Sequence, residues 1–190
     1  MTRLTLHLIL LLTVLAVTGC ATIKLDVPGA TANTVEKLRA ANLSPTQVGS
    51  FKIAPGKDAS MDTSLGGLRS GSLAPAHGGW SQFLKDTLVT ELTAAGLYDP
   101  ASRFVIEGQL TDSRVDAAIG TGTARLAARF IVTNNGYAAY DKELTVDASW
   151  PSSFAGAVAI PEAMNQYGAL YKKLAASLFD DPDFQSALAK

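Results

Sequence analysis

Residues 124–150 read ARLAARFIVTNNGYAAYDKELTVDASW, and this stretch decides the fold. Leu126, Ala128, Phe130 and Val132 fall on one side of a period-two pattern, opposed by Arg125, Ala127 and Arg129. That alternation describes a strand with one buried face. Asn135-Gly136 follows, the pair preferred in a type I′ hairpin because both of its central residues need positive φ. Tyr140, Leu144, Val146 and Ala148 then return on a second strand, which Trp150-Pro151 should end. A hairpin with one apolar face needs another layer to cover it.

The covering elements lie on either side in sequence. Phe104, Ile106 and Leu110 alternate with Glu107, Gln109 and Thr111, predicting a strand to about Ala117, and Gly120-Thr121-Gly122 turns the chain. Upstream, Trp80, Phe83, Leu84, Leu88 and Leu92 recur at helical spacing, with Gly96 placed to end the helix. Val48–Ala54 predicts a first strand, stopped by Pro55-Gly56. Between them, Gly56–Gly79 reads as a long Gly/Ser-rich loop. Downstream comes an apolar loop, Phe154–Ile160, with Pro161 as the first helical residue. Ala163, Tyr167, Leu170, Tyr171, Leu174 and Leu178 mark a second long helix, which stops before Asp181-Pro182. A short turn over Asp183–Ala189 closes the chain. The expected fold is α+β: a four-stranded mixed sheet in the order strand-helix-strand-strand-strand-helix, with two helices packed on one face.

The first twenty residues follow a different logic. Arg3 gives a positive start, Leu4–Val17 an apolar run, and small residues precede the single cysteine, Cys20. This is the layout of a secretory signal, and the run is short of the roughly 20 apolar residues a spanning helix needs. Val17-Thr18-Gly19-Cys20 resembles the lipobox of bacterial lipoproteins. The resemblance implies that the Cys20 thiol is lipidated, palmitate being one of the expected chains, that the residue becomes the mature N-terminus, and that three acyl chains hold it in the membrane. Ala21 stands where an inner-membrane retention signal would place Asp. That points to the outer membrane of a Gram-negative bacterium, facing the periplasm. The expected organisation is a signal peptide over 1–19, an acylated tether and short helix over 20–45, and one periplasmic domain over 46–190. Within the tether region, Ala21–Ala32 is read as free chain. Asn33 and Glu36 are read as a capping pair for a helix with the stripe Val35, Leu38 and Leu43.

Composition narrows the chemistry. The chain has 16 Lys+Arg against 17 Asp+Glu and no block of like charge, so nucleic acid is not an expected partner. An acylated Cys20 leaves no thiol for a disulfide. Past the signal, His77 is the only histidine, so no metal site built on histidines and no cofactor is expected. Gly120-x-Gly122 continues as Thr123-Ala124-Arg125 and sits between strands, unlike a dinucleotide loop. Arg69 and His77 are candidates to bind an anionic group. Trp150 and Phe154 bracket the start of an apolar segment able to face a partner. The catalytic alternative is a lipid- or wall-modifying hydrolase or acyltransferase with Ser70 or Ser72 beside His77.

Three runs, VGSFKIAPGK, TELTAAGLYDPASRFVIEGQLTDS and GTARLAARFIVTNNG, with YDKELTVDASWPSSFAGAVAIPEA after them, resemble a group of Gram-negative outer-membrane lipoproteins. The strand and helix order is similar to the small periplasmic α/β lipoproteins of the YajG-like and transport-auxiliary types. Thr22-Ile23-Lys24-Leu25-Asp26 stands where the latter group has a tyrosine-leucine motif. The resemblance implies no catalytic residue. With no catalytic constellation in the sequence, the expected role is a non-catalytic, membrane-anchored interaction module for envelope assembly, maintenance or transport, whose partner is another envelope protein or a cell-wall or lipid component.

Overall fold

A computed structural model describes residues 22–190. The predicted signal segment and Cys20 lie outside the described residues. The elements run β1 (Thr22–Leu25), α1 (Ala32–Ala40), β2 (Gln47–Ile53), α2 (Ser60–Thr63), β3 (Leu65–Leu68), β4 (Gly71–Pro75), α3 (Trp80–Ala95), β5 (Phe104–Asp116), β6 (Gly120–Asn134), β7 (Tyr137–Ser152), α4 (Gly156–Phe179) and α5 (Pro182–Leu188).

The four-stranded mixed sheet is present, in the order β2-β5-β6-β7. β2 pairs parallel with β5, and β5-β6 and β6-β7 are antiparallel. Asn135 and Gly136 take φ of 50° and 83°, the double positive φ that a type I′ turn demands. The β6-β7 register sets Leu126 opposite Val146 and Val132 opposite Tyr140, so the apolar sides of both strands share one face. A bulge in β5 between Leu110 and Asp112 leaves Thr111 as the extra residue and returns Ser113 to that same face. β7 runs on through Pro151, which an edge strand tolerates because it faces no further ladder.

α3 and α4 cover the apolar face. Trp80 and Phe83 from α3 meet Tyr167 and Tyr171 from α4, with Trp80–Tyr167 centroids 4.9 Å apart and Phe83–Tyr171 centroids 4.6 Å apart. The hydroxyls in this apolar layer satisfy one another: Ser113 Oγ lies 2.6 Å from Tyr167 Oη, which lies 3.1 Å from Tyr171 Oη. Gly96 closes α3 at φ 76°, with Leu97 N–H donating to the Leu92 carbonyl.

Four local expectations are corrected. Residues 22–25 are not free tether: β1 pairs parallel with β4, from Thr22 beside Ser72 to Leu25 beside Pro75. The 56–79 stretch is not an unstructured loop. It holds α2, β3 and β4, and with β1 makes a second sheet in the order β1-β4-β3. Leu65, Leu68 and Leu73 tie that sheet into the core, and glycines and serines around them hide the pattern. The first helix is capped at Thr31, not Asn33. Its Thr31 N–H is bound by both carboxylate oxygens of buried Glu91 at 3.0 Å, a tertiary contact replacing a local capping box. Finally, α4 begins at Gly156, so Gly156–Ile160 is helix and Pro161 lies inside it. A proline this near the start removes one ladder bond while the remaining turns hold.

The C-terminal turn is a seven-residue helix, α5, capped by the Asp181 carboxylate on the Asp183 and Phe184 amides. No helix among the described residues is long and apolar enough to cross a membrane.

Candidate functional site

The sheet face away from the helices is polar, and its residues line up in cross-strand rows. Arg114, Arg125 and Asp147 form one row, and Asp116, Thr123 and Ser149 the next. Leu65-Gly66-Gly67 of β3 stands beside these rows and closes a cleft of about 910 Å³. The approach of β3 needs a glycine: a Cβ on Gly67 would sit 1.9 Å from the Val115 carbonyl oxygen, and Gly67 has φ of 91°.

The arginines on the cleft floor are paired, while Asp116 is in no ion pair among the described residues. Asp112 bridges Arg114 at 2.8 Å and Arg125 at 3.3 Å, and Arg125 reaches Asp147 at 3.1 Å. One turn of the pattern away, Arg129 Nε donates to Asp141 at 2.6 Å, and that bond holds the Asp141 carboxyl below its usual range. The result is a balanced field of donors and acceptors. It suits an extended polar ligand better than a highly charged one. The Ser113 hydroxyl turns away from the cleft to Tyr167 in the helix layer, and neither the Thr123 nor the Ser149 hydroxyl is bonded to a base among the described residues. No cluster of three or more His, Cys, Asp or Glu placed to hold a metal occurs among the described residues.

Sequence reasoning missed this cleft. Its signal was present as the alternating Arg125 and Arg129 against Asp141 and Asp147, but only the register shows that they meet.

The residues singled out from the sequence lie elsewhere. Arg69 occupies the β3–β4 turn at φ 59°. Its Nε donates to the Ala117 carbonyl at 3.0 Å, its Nη1 to the Phe154 carbonyl at 2.6 Å, and its Nη2 to the Ser153 carbonyl. One guanidinium thus ties together three turns: β3–β4, β5–β6 and β7–α4. Arg69 and Phe154 are brought together, through main chain on the Phe154 side. Phe154 is 81% exposed. Trp150 is buried, its indole covering Gly122 so closely that a Cβ there would lie 2.3 Å from the ring.

His77 stands apart. It is exposed, beyond the far end of β4, and its imidazole makes no hydrogen bond or ion pair among the described residues. Ser70 precedes β4 and Ser72 lies near its start, bonded to Thr22. An extended strand rises about 3.3 Å per residue, so roughly 10 Å separates Ser72 from Pro75 before the turn to His77 begins. The structure does not assemble the serine–histidine pair.

No family model matches the chain, and no curated protein matches it in sequence. Among solved structures, it is similar to a Xanthomonas campestris protein of family DUF330 at 11% identity and a TM-score of 0.52, covering 84% of this chain and 95% of that one. The two share a fold. A Caulobacter crescentus protein aligns at 11% identity with a TM-score of 0.44, over 82% of this chain and 94% of that one. A minor lipoprotein from Acinetobacter baumannii aligns at 15% identity and 0.36, over 71% and 94%.

Proposed function

We propose that this chain is a lipoprotein anchored through Cys20 in the outer membrane, serving as a non-catalytic interaction module of the cell envelope. The observation that carries the reading is Val17-Thr18-Gly19-Cys20 at the end of a short apolar run, two residues ahead of the first strand. The cleft beside β3 is the docking place for the partner, an envelope protein or a cell-wall component. Its balanced rows of Arg114, Arg125 and Asp147 offer both donors and acceptors, and its floor is open along the strands. The long free edge of β7 is a second route, by strand addition. Its charged residues Asp141, Lys142, Glu143 and Asp147 guard it against indiscriminate pairing.

The test is photocrosslinking in intact Gram-negative cells from a reactive residue placed at Thr123 or Ser149. The reading expects a discrete envelope adduct that is lost in an Arg125→Glu variant and weakened when Cys20→Ala removes the anchor. Adducts from the cleft no more specific than those from exposed Lys190 would contradict it.

A further inference from the structure

The end of the domain that carries Thr22 also carries exposed large apolar side chains. Thr22 pairs with Ser72, and their hydroxyls are 3.1 Å apart. Gly71 pairs with Leu68 across the turn that holds Arg69. Arg69 in turn grips the carbonyls of Ala117, Ser153 and Phe154. Thr22 therefore lies at the same end as the β5–β6 turn and the start of α4. These two segments carry Ile119, Phe154 and Val158, which are 63%, 81% and 60% exposed. Neither Ala117–Gly122 nor Ser152–Pro161 contains a charged residue. At the opposite end of the long strands stands the Asn135-Gly136 hairpin with exposed Tyr137.

Chain length fixes what this end can reach. Cys20 is two residues from Thr22, and a fully extended chain spans at most about 3.6 Å per residue, so the anchor lies within about 7 Å of the domain. The domain has no slack with which to stand away from the bilayer. β1 is locked to β4 along its whole length, so the slack cannot be drawn from residues 22–25.

We propose that Ile119, Phe154 and Val158 form a membrane-seating tip, which rests in the headgroup and upper acyl region of the phospholipid bilayer and sets the domain upright on it. The inference rests on the lipidated Cys20 of the proposed function. An apolar edge seated about 5–10 Å into the boundary gains from the burial of its side chains. Phospholipid is the occupant because the covalent tether delivers this end to it at a fixed, short distance. Arg69 fits the same placement. Its guanidinium fork ties these turns together and so holds the tip in shape. The seated tip leaves the cleft and the β7 edge open to the side.

The experiment uses the full chain, matured in cells and reconstituted in vesicles of phosphatidylethanolamine and phosphatidylglycerol with brominated acyl chains. Phe154→Trp and Ile119→Trp place a fluorophore at the tip, and Tyr137→Trp places one at the far end. Trp80 and Trp150 are buried in all three and give a common background. The expected result is flotation of every variant with the vesicles, and strong bromine quenching with a blue shift at both tip positions but not at Tyr137→Trp. Flotation without quenching at either tip position overturns the seating and leaves the anchor intact; the tip would then face a protein. Equal quenching at all three positions also overturns it, since no end would be preferred. Failure to float overturns the anchored reading, and the seating with it.

Discussion

Arg69 and Phe154 are 85 residues apart in sequence, yet Nη1 of the first donates to the carbonyl of the second at 2.6 Å. A side chain that looks available for an anionic ligand is instead committed to the main chain of three turns. That commitment shapes the end of the domain that carries Thr22, so it is open to direct test.

Arg69→Ala removes all three donors and leaves the Ala117 carbonyl, in a part-buried setting, without its partner. The expected cost is about 1.5–3 kcal/mol in urea unfolding, in line with hydrogen bonds made by a charged group. Amide exchange should rise at residues 117–120 and 153–156 more than in the strands. Arg69→Lys should recover only part of the loss, because an ammonium cannot reproduce the guanidinium fork. Unchanged exchange in those turns would contradict the clamp.

Gly122 and Trp150 form a second test. The indole occupies the space a β-carbon would need, so Gly122→Ala should cost about 1–3 kcal/mol by overpacking. Adding Trp150→Leu should relieve much of that cost, giving a coupling between two residues in contact. Additive losses would mean that the indole is not what excludes the side chain.

The hydroxyl chain from Ser113 through Tyr167 to Tyr171 predicts a lopsided response. Both tyrosines are fully buried, and burial foremost pushes their phenols above the usual range. Tyr167→Phe strands a hydroxyl on each side and should cost about 1–3 kcal/mol. Tyr171→Phe removes only the end of the chain and should cost less. Thermal or urea unfolding of the pair ranks them.

How much of this was legible in the sequence follows from the distance over which each signal acts. The β6–β7 hairpin was written locally, in a two-residue period and in Asn135-Gly136, and it stands where that pattern puts it. α3 was equally plain, from Trp80 to Gly96. The second sheet was harder because its strands are four or five residues long and their apolar side chains are interrupted by glycine and serine. Thr22-Ile23-Lys24-Leu25 does alternate, but nothing nearby in sequence shows that β4 is its partner. Glu91 and Thr31 illustrate the same limit, since a cap supplied from 60 residues away leaves no local trace. The cleft was the least legible feature. It depends on β3 folding back beside a row of side chains drawn from three strands.

Asp181 gives a pH dependence with a definite sign. Burial alone would raise its carboxyl, but the Lys142 hydrogen bond and the Asp183 and Phe184 amides outweigh that and hold it below 3.8. A depressed folded-state pKa contributes stability that is fully present above the unfolded value and is lost as pH falls through the folded one. Asp181→Asn should therefore be less stable than the parent at neutral pH, and the gap should narrow as the medium is acidified below about pH 4. Urea midpoints for both proteins between neutral and acid pH check this. A gap that stayed constant would deny the carboxylate its role.

The central proposal is that Cys20 is the lipidated first residue of the mature protein, with only Ala21 between it and a folded strand. Intact-mass analysis of the full chain extracted from Gram-negative membranes tests it most directly. The account predicts a polypeptide beginning at Cys20 and carrying acyl chains, with the Cys20→Ala variant neither acylated nor retained in the membrane fraction. A membrane-extracted chain with an unmodified Cys20, or one cut downstream of it, would contradict the account.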